Sequence, residues 1–333
     1  ALGAVDTPAE AVALAVGDGY VLVADGVSGI HVADLTDPAR PRLAASLDTP
    51  GTCVDVALDR ASSRAYVADG GEGVRVVDVA DPTHPRDLGA IGAGEASRAV
   101  AQAVALRDGR LYVADLDGGL LVVDLPADGS AAAVVGSVDL PGQVHGVIAD
   151  GARALAVGWS EGLSGWDLTD PRSPERSWSL ATAGRANNVA IRDDVALVAD
   201  LEAGLQIVDV STATGPRRLG GYRPIGLVED VAWSGRDALL VDGESLIALD
   251  LEDPSRPVDL GRQDRLLGAV ALRVEGDTAY VGGWEKGIWT INVGSASSPR
   301  RLASLDLPGG AAGLAVRSGQ VLVAADEAGL HVV

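Results

Sequence analysis

Short runs of Val, Leu, Ala and Ile alternate with Gly, Asp and Pro along the whole chain, and nowhere does an apolar spacing of three to four persist long enough for a helix. Residues 98–124 show the unit most clearly. Ala103–Leu106, Leu111–Ala114 and Leu120–Val123 read as three strands, with a turn at Arg107–Gly109 between the first two. Polar and apolar positions hardly alternate inside these runs, which is the pattern of strands buried on both faces. A fourth strand is expected after each Asp-Pro or Ser-Pro corner, as in Asp34–Pro50. Proline fixes φ and has no N–H for a ladder, so such a segment belongs at a sheet edge.

This phrase returns along the chain. The residue that closes the second strand falls at Asp25, Asp69, Asp115, Gly158, Asp200, Asp242, Gly283 and Ala325, in steps of 41 to 46 residues. A period of that length, with several short strands in each repeat, predicts an all-β fold: an eight-bladed β-propeller of four-stranded antiparallel blades. The two ends fit together. The last unit stops at Val333 after its third strand, while Ala1–Pro8 (ALGAVDTP) resembles the outer strand Leu43–Pro50 (LAASLDTP). Residues 1–8 are therefore expected to supply the outer strand of the C-terminal blade and close the ring, leaving residues 1–333 as one domain.

Val74–Pro85 (VRVVDVADPTHP), Leu205–Pro216 (LQIVDVSTATGP) and Leu120–Gly129 (LLVVDLPADG) resemble the LVIVD-repeat proteins. The resemblance spans the chain and implies a bacterial or archaeal surface or secreted propeller. It brings no catalytic motif with it. The fourth and seventh units depart from the pattern, with Gly158-Trp159 and Gly283-Trp284 where Asp and a plain turn residue are usual.

Composition points to a compartment more than to a chemistry. Phe and Met are absent and Lys286 is the single lysine, a bias that suits a GC-rich bacterial genome. With Ala1 already in a strand and no initiator Met, the sequence reads as a processed chain, secreted, periplasmic or at the cell surface. A formal charge of −21 argues against nucleic acid and anionic membrane surfaces as partners. No apolar run has the length of a membrane span. Cys53 stands alone, so neither an intrachain disulfide nor a cysteine metal site can form, and its neighbours Val54 and Val56 suit a buried small side chain.

Candidate chemistry collects where the inner strands begin. Aligning the units places Val12, Val54, Gln102, His145, Asn187, Glu229, Gly268 and Ala312 at one position, and Ala13, Asp55, Ala103, Gly146, Asn188, Asp230, Ala269 and Gly313 at the next. Polar residues cluster in units two to six: Asp55, Gln102, His145, Asn187, Asn188, Glu229 and Asp230. Such side chains around a channel mouth suit a polar ligand, and His145 with Glu229 would supply an acid and a base to a hydrolase- or lyase-like enzyme. Wet channel mouths also carry polar residues with no function beyond satisfying backbone and water.

Loops between the second and third strands should share that face. A Gly recurs four residues after the closing position, at Gly29, Gly73, Gly119, Gly162, Gly204, Gly287 and Gly329, where a left-handed turn residue is expected. The closing Asp is expected to cap the same turn. Loop acids such as Glu72, Glu161, Glu202, Glu244, Glu285 and Glu327 have no such explanation. Calcium is the cofactor that oxygen-rich loops would take, and Asp115 with Asp117 comes nearest to alternating ligands, although no bidentate Glu follows at the required spacing. Trp159 and Trp284 occupy equivalent loop positions and suit contact with a protein or a glycan. Trp166, Trp178, Trp233 and Trp289 fall on strands, as packing residues. His31 and His331 sit at equivalent third-strand positions. There is no nucleophile elbow, phosphate loop or zinc-protease motif. The leading reading is a noncatalytic protein- or glycan-interaction platform; a channel-mouth enzyme and a subunit of a larger surface assembly are the alternatives.

Overall fold

The computed structural model describes residues 2–91, 100–116, 119–126, 132–138, 144–150, 152–211, 215–284, 286–317 and 319–333. Among them there is no helix, and every sheet is antiparallel. Six sheets have four strands, in the order inner, second, third, outer. A seventh has seven strands, because Val258–Glu275 runs without a break from the outer edge of unit six into the inner strand of unit seven. Asp117 and Glu285 lie outside the described residues.

Second strands such as Tyr20–Ala24, Arg64–Ala68 and Val195–Ala199 are buried at every position after the first. Both of their faces meet a neighbouring sheet, which is why hydrophobic alternation is missing from the sequence. Each apolar cluster joins two consecutive units. Leu22, Ile30 and Val32 of unit one, for example, pack on Val56, Val67 and Val77 of unit two. Another cluster joins the two ends of the chain, packing Val21, Val23 and Ala33 against Leu322, Leu330 and Val332. Gly3–Val5 pairs antiparallel with Leu330–Val332.

The Asp-Pro corners are self-capped. Asp37, Asp81, Asp170 and Asp253 each accept the N–H two residues on, across the intervening proline, at 3.0–3.1 Å. The recurrent loop glycines are also where the turn needs them. Gly29 (φ +81°) and Gly204 (φ +84°) are left-handed, and a Cβ on either would collide with the carbonyl of Leu47 or Tyr222.

Two sequence expectations are corrected. Among the described residues the closing Asp caps its own turn in unit six, where Asp242 accepts the N–H of Ser245 at 2.8 Å. Elsewhere it reaches back to the segment that arrives from the preceding outer strand. Asp25 accepts the Thr7 hydroxyl at 2.6 Å and the Ala9 N–H at 2.9 Å. Asp69 accepts Thr49 at 2.7 Å and Gly51 N–H at 3.0 Å, and Asp200 accepts Gly184 N–H at 3.1 Å. A carboxylate with no exposed surface, such as Asp25 or Asp69, needs those donors. The second correction concerns unit seven. Ala271 pairs with Gly282, as Asp55 pairs with Ala68 and Asp230 with Val241, so the inner-strand positions there are Val270 and Ala271 and not Gly268 and Ala269. The run Gly268–Leu272 (GAVAL) copies Gln102–Leu106 (QAVAL) two residues out of step with the closing position, which hides the shift from a sequence alignment.

Candidate functional site

The polar residues at the inner-strand starts are tied to one another. Asp55 accepts its neighbour's N–H from Val56 at 2.8 Å and reaches into unit three, where Val104 N–H donates at 2.9 Å. Asp230 repeats this toward unit seven, accepting Leu272 N–H at 2.8 Å and Val231 N–H at 2.8 Å. Asn188 of unit five donates to Asp230 at 2.6 Å, and Asn187 donates to the Glu229 carbonyl at 3.1 Å. Side chains that sequence alone nominates for ligand binding thus spend their hydrogen bonds on holding consecutive inner strands together. Burial pushes the Asp55 and Asp230 carboxyls up, against the backbone donors and the Arg273 guanidinium, which pull them down.

Arg273 was not nominated by the sequence reading. Its Nη1 lies 3.5 Å from Asp230 Oδ2. The register gives the signal that would have found it: the same inner-strand position holds Ala15, Ala57, Ala105, Ala190, Ala232 and Ala315, with Ile148 in unit four. One cation in a girdle of alanines stands out once unit seven is correctly aligned.

A second group of side chains lies where units four, five and six meet. The His145 and Trp159 rings stack with centroids 4.4 Å apart and planes 27° apart. The Arg185 guanidinium lies 5.3 Å from the Trp159 ring and its Nε is 3.2 Å from Glu202 Oε1. Burial lowers the His145 pKa, favouring the neutral ring, and its Nε2 is enclosed without a hydrogen-bond partner. Burial raises Glu229, which Arg185 pulls down and Asp230 pushes up. Trp159, His145, Asn187, Asn188, Glu229 and Asp230 therefore belong to one neighbourhood. Arg185, which links them, was missed because no repeat position marks it.

Trp284 stands apart from that group, 60% exposed, with its ring edge over Gly310 of unit eight. It has apolar company that the sequence did not single out. Ile225 is fully exposed, and Leu227 and Leu267 are largely so. These three precede inner-strand residues Asp230 and Ala269, while Trp159 and Trp284 follow second strands, so all five occupy one end of the sheets. Gln102 sits on the bulge between Ala101 and Ala103. Asp115 accepts Val100 N–H at 2.9 Å, the cross-unit role of the other closing aspartates. Among the described residues no group of three or more His, Cys, Asp or Glu side chains is arranged to hold a metal ion. His31 bonds Ser46 at 2.7 Å through Nδ1 and faces Asp25 at 3.1 Å through Nε2, whereas His331 lies opposite Ala4 in the strand pair that joins the termini.

The family model of the LVIVD repeat matches residues 9–49, 64–90, 100–140 and 183–223. The chain carries LVIVD repeats. Solved structures are similar to the chain over nearly its whole length. Saccharomyces cerevisiae Sqt1 superposes with a TM-score of 0.82 at 10% identity, covering 99% of this chain and 97% of that one. Chaetomium thermophilum Sqt1, bound to the N-terminus of the ribosomal protein L10, gives 0.78 at 16% identity over 97% and 96%. BamB from Moraxella catarrhalis gives 0.70 at 13% identity over 98% and 96%. No curated protein matches the chain. At these identities the LVIVD repeats share a fold with the three structures and nothing more is implied. No helix among the described residues is long and apolar enough to cross a membrane.

Proposed function

We propose that the chain is one domain, an eight-bladed ring closed by its N-terminal strand, and that it works as a noncatalytic platform for a protein partner. The partner docks on the end of the sheets where the inner strands begin, over units four to seven. The observation that carries this reading is that exposed Trp159, Ile225, Leu227, Leu267 and Trp284 all lie at that end, Trp159 beside the Arg185–Glu202 pair. Large apolar side chains with few rotors, rimmed by charge, are the usual anchors of a protein interface. Chaetomium Sqt1 binding a protein N-terminus supports the reading as a use to which this architecture is put. With a net charge of −21 the favoured partner is cationic. A glycan partner and a secreted or surface address rest on composition and on the tryptophans alone. The channel-mouth enzyme is less favoured, because Asp55, Asn188 and Asp230 are engaged in ties between strands.

The test is affinity purification from the native host with wild type and the Trp159→Ala/Trp284→Ala double variant, followed by binding of the purified partner. A stoichiometric partner lost by the double variant, with its melting temperature unchanged, supports the platform. Equal capture by both proteins would move the interface elsewhere.

A further inference from the structure

In most units the third and outer strands pair a larger residue with a small one at one register position. The pairs are Val32 with Ala45, Val76 with Gly89, Val122 with Gly136, Ile207 with Gly220, Ala248 with Gly261, Thr290 with Ala303, and Val332 with Gly3. The small outer-strand residue has a purpose. A Cβ on Gly3, Gly136, Gly220 or Gly261 would strike the corner of the following unit, at Pro41, Pro171, Pro254 or Ser297. Small size there is what lets the next corner seat.

Unit four reverses the pair. Gly165 stands on the third strand and Trp178 on the outer strand. A Cβ on Gly165 would run into the Trp178 indole, so the ring lies across the third strand where other units carry Val, Ile, Ala or Thr. In sequence, unit five reads Ser211-Thr212-Ala213-Thr214 where units one, two, four and six have Asp-Pro, and residues 212–214 lie outside the described residues. A cleft of about 380 Å³ opens at this seam between units four and five, in the size range of small-ligand pockets.

Its lining mixes one aromatic face with hydrogen-bonding groups of both kinds: Arg153, Asp167, Ser177, Trp178 and Ser211. Arg153 is held in place by unit five, donating to Asp194 Oδ1 at 2.8 Å and to the Asp193 carbonyl. Thr169 donates to Asp167 through N–H and hydroxyl, which keeps that carboxyl below its usual range and ionised. Trp166 also borders the cleft, but its indole is buried against unit three and donates to Ser164 at 3.1 Å. Trp178 is thus the aromatic platform.

We propose that this cleft is a binding site for a neutral pyranose sugar. A pyranose presents a C–H face that stacks on an indole and equatorial hydroxyls that both donate and accept. Asp167 accepts from the hydroxyls, and the two serines donate or accept. The site is at the seam beneath unit four, with no residue in common with the protein-docking face, so the two readings stand or fall separately.

The experiment is saturation-transfer NMR and calorimetry of the full chain with galactose, mannose, glucose and N-acetylglucosamine, and with p-cresol as an aromatic probe without a sugar's hydroxyls. Binding of at least one sugar is expected, weakened about tenfold or more by Asp167→Ala and by loss of the indole. Since Trp178→Ala would open a hole, the informative variant is Gly165→Val/Trp178→Gly, which recreates the Val–Gly pair of unit two and keeps a seated structure without the platform. It is expected to keep the wild-type circular dichroism and melting temperature and to lose sugar binding, while Trp159→Ala retains it. No sugar binding by wild type, binding undiminished in the double variant, or binding of p-cresol alone would each overturn the proposal.

Discussion

Thr49 donates its hydroxyl to Asp69 across 2.7 Å, with both side chains buried and 20 residues apart in sequence. In unit eight both are exchanged. Where the Thr position holds Leu307, the Asp position holds Ala325, and these two share one apolar cluster. A buried carboxylate needs the hydroxyl, and a buried methyl group needs neither. Thr49→Leu alone is expected to cost about 1–3 kcal/mol of unfolding free energy. The Thr49→Leu/Asp69→Ala pair should cost less than the sum of the two single changes, read by a double-mutant cycle in urea. Strict additivity would mean that the pair is not coupled.

Cys53 sits beside the same pair, with its Sγ 3.2 Å from the Thr49 hydroxyl. Burial, aided by Asp69, pushes its thiol up to about 12. Since the thiolate is the reactive form, the native protein should be inert to thiol reagents at pH 8 and react fully once unfolded. Rapid labelling of the folded protein would contradict the burial. Cys53→Ala should be tolerated, because Ala11, Ala186 and Ala311 fill the corresponding buried positions in other units.

Two buried aspartates should give opposite dependences of stability on pH. Burial would raise Asp25, but the His31 ring, the Thr7 hydroxyl and the Ala9 N–H outweigh it, and its pKa lies below 3.8. Its contribution is present above 3.8 and fades as the pH falls through the lowered folded value, so Asp25→Asn should flatten the acid limb of the stability curve. Burial dominates at Asp230, whose pKa lies above 3.8. There the folded state holds the proton more tightly, so the contribution is full below 3.8 and fades as the pH rises through the raised value. Asp230→Asn should therefore gain on wild type between acid and neutral pH, measured by denaturant unfolding at a series of pH values.

Gly204→Ala should destabilise by more than about 1 kcal/mol, because left-handed φ and the Tyr222 carbonyl both oppose a Cβ. The same substitution at Gly235, which is left-handed but has open space around it, should cost less. Equal losses in thermal melts would leave only the backbone conformation as the cause.

The repeat phase was readable because it rests on backbone demands. The left-handed glycines, the Asp-Pro corners and the matched terminal strands each require a particular residue type. The site was readable only in part. His145, Trp159 and Glu229 announce themselves as odd residues at repeat positions, and the structure brings them together. Arg185 lies between repeat positions, and Arg273 is hidden because Gly268–Leu272 mimics Gln102–Leu106 two residues out of register. Ile225, Leu227 and Leu267 look like core residues in sequence, since whether an apolar side chain is covered depends on what folds over it. The reversal of Gly165 and Trp178 is equally invisible until the strands are placed side by side.

The unbroken strand Val258–Glu275 makes one seam unlike the others. At most junctions a loop separates neighbouring sheets, and local opening can stop there. Across this one the same backbone is hydrogen-bonded to Leu246 through Gln263 on one side and to Val281 through Leu272 on the other. Pulling either sheet apart strains the ladder of its neighbour, so units six and seven should exchange their amide protons as a single cooperative block. A fold built from repeats thereby acquires a stiff sector, and its breathing is confined to the remaining joints.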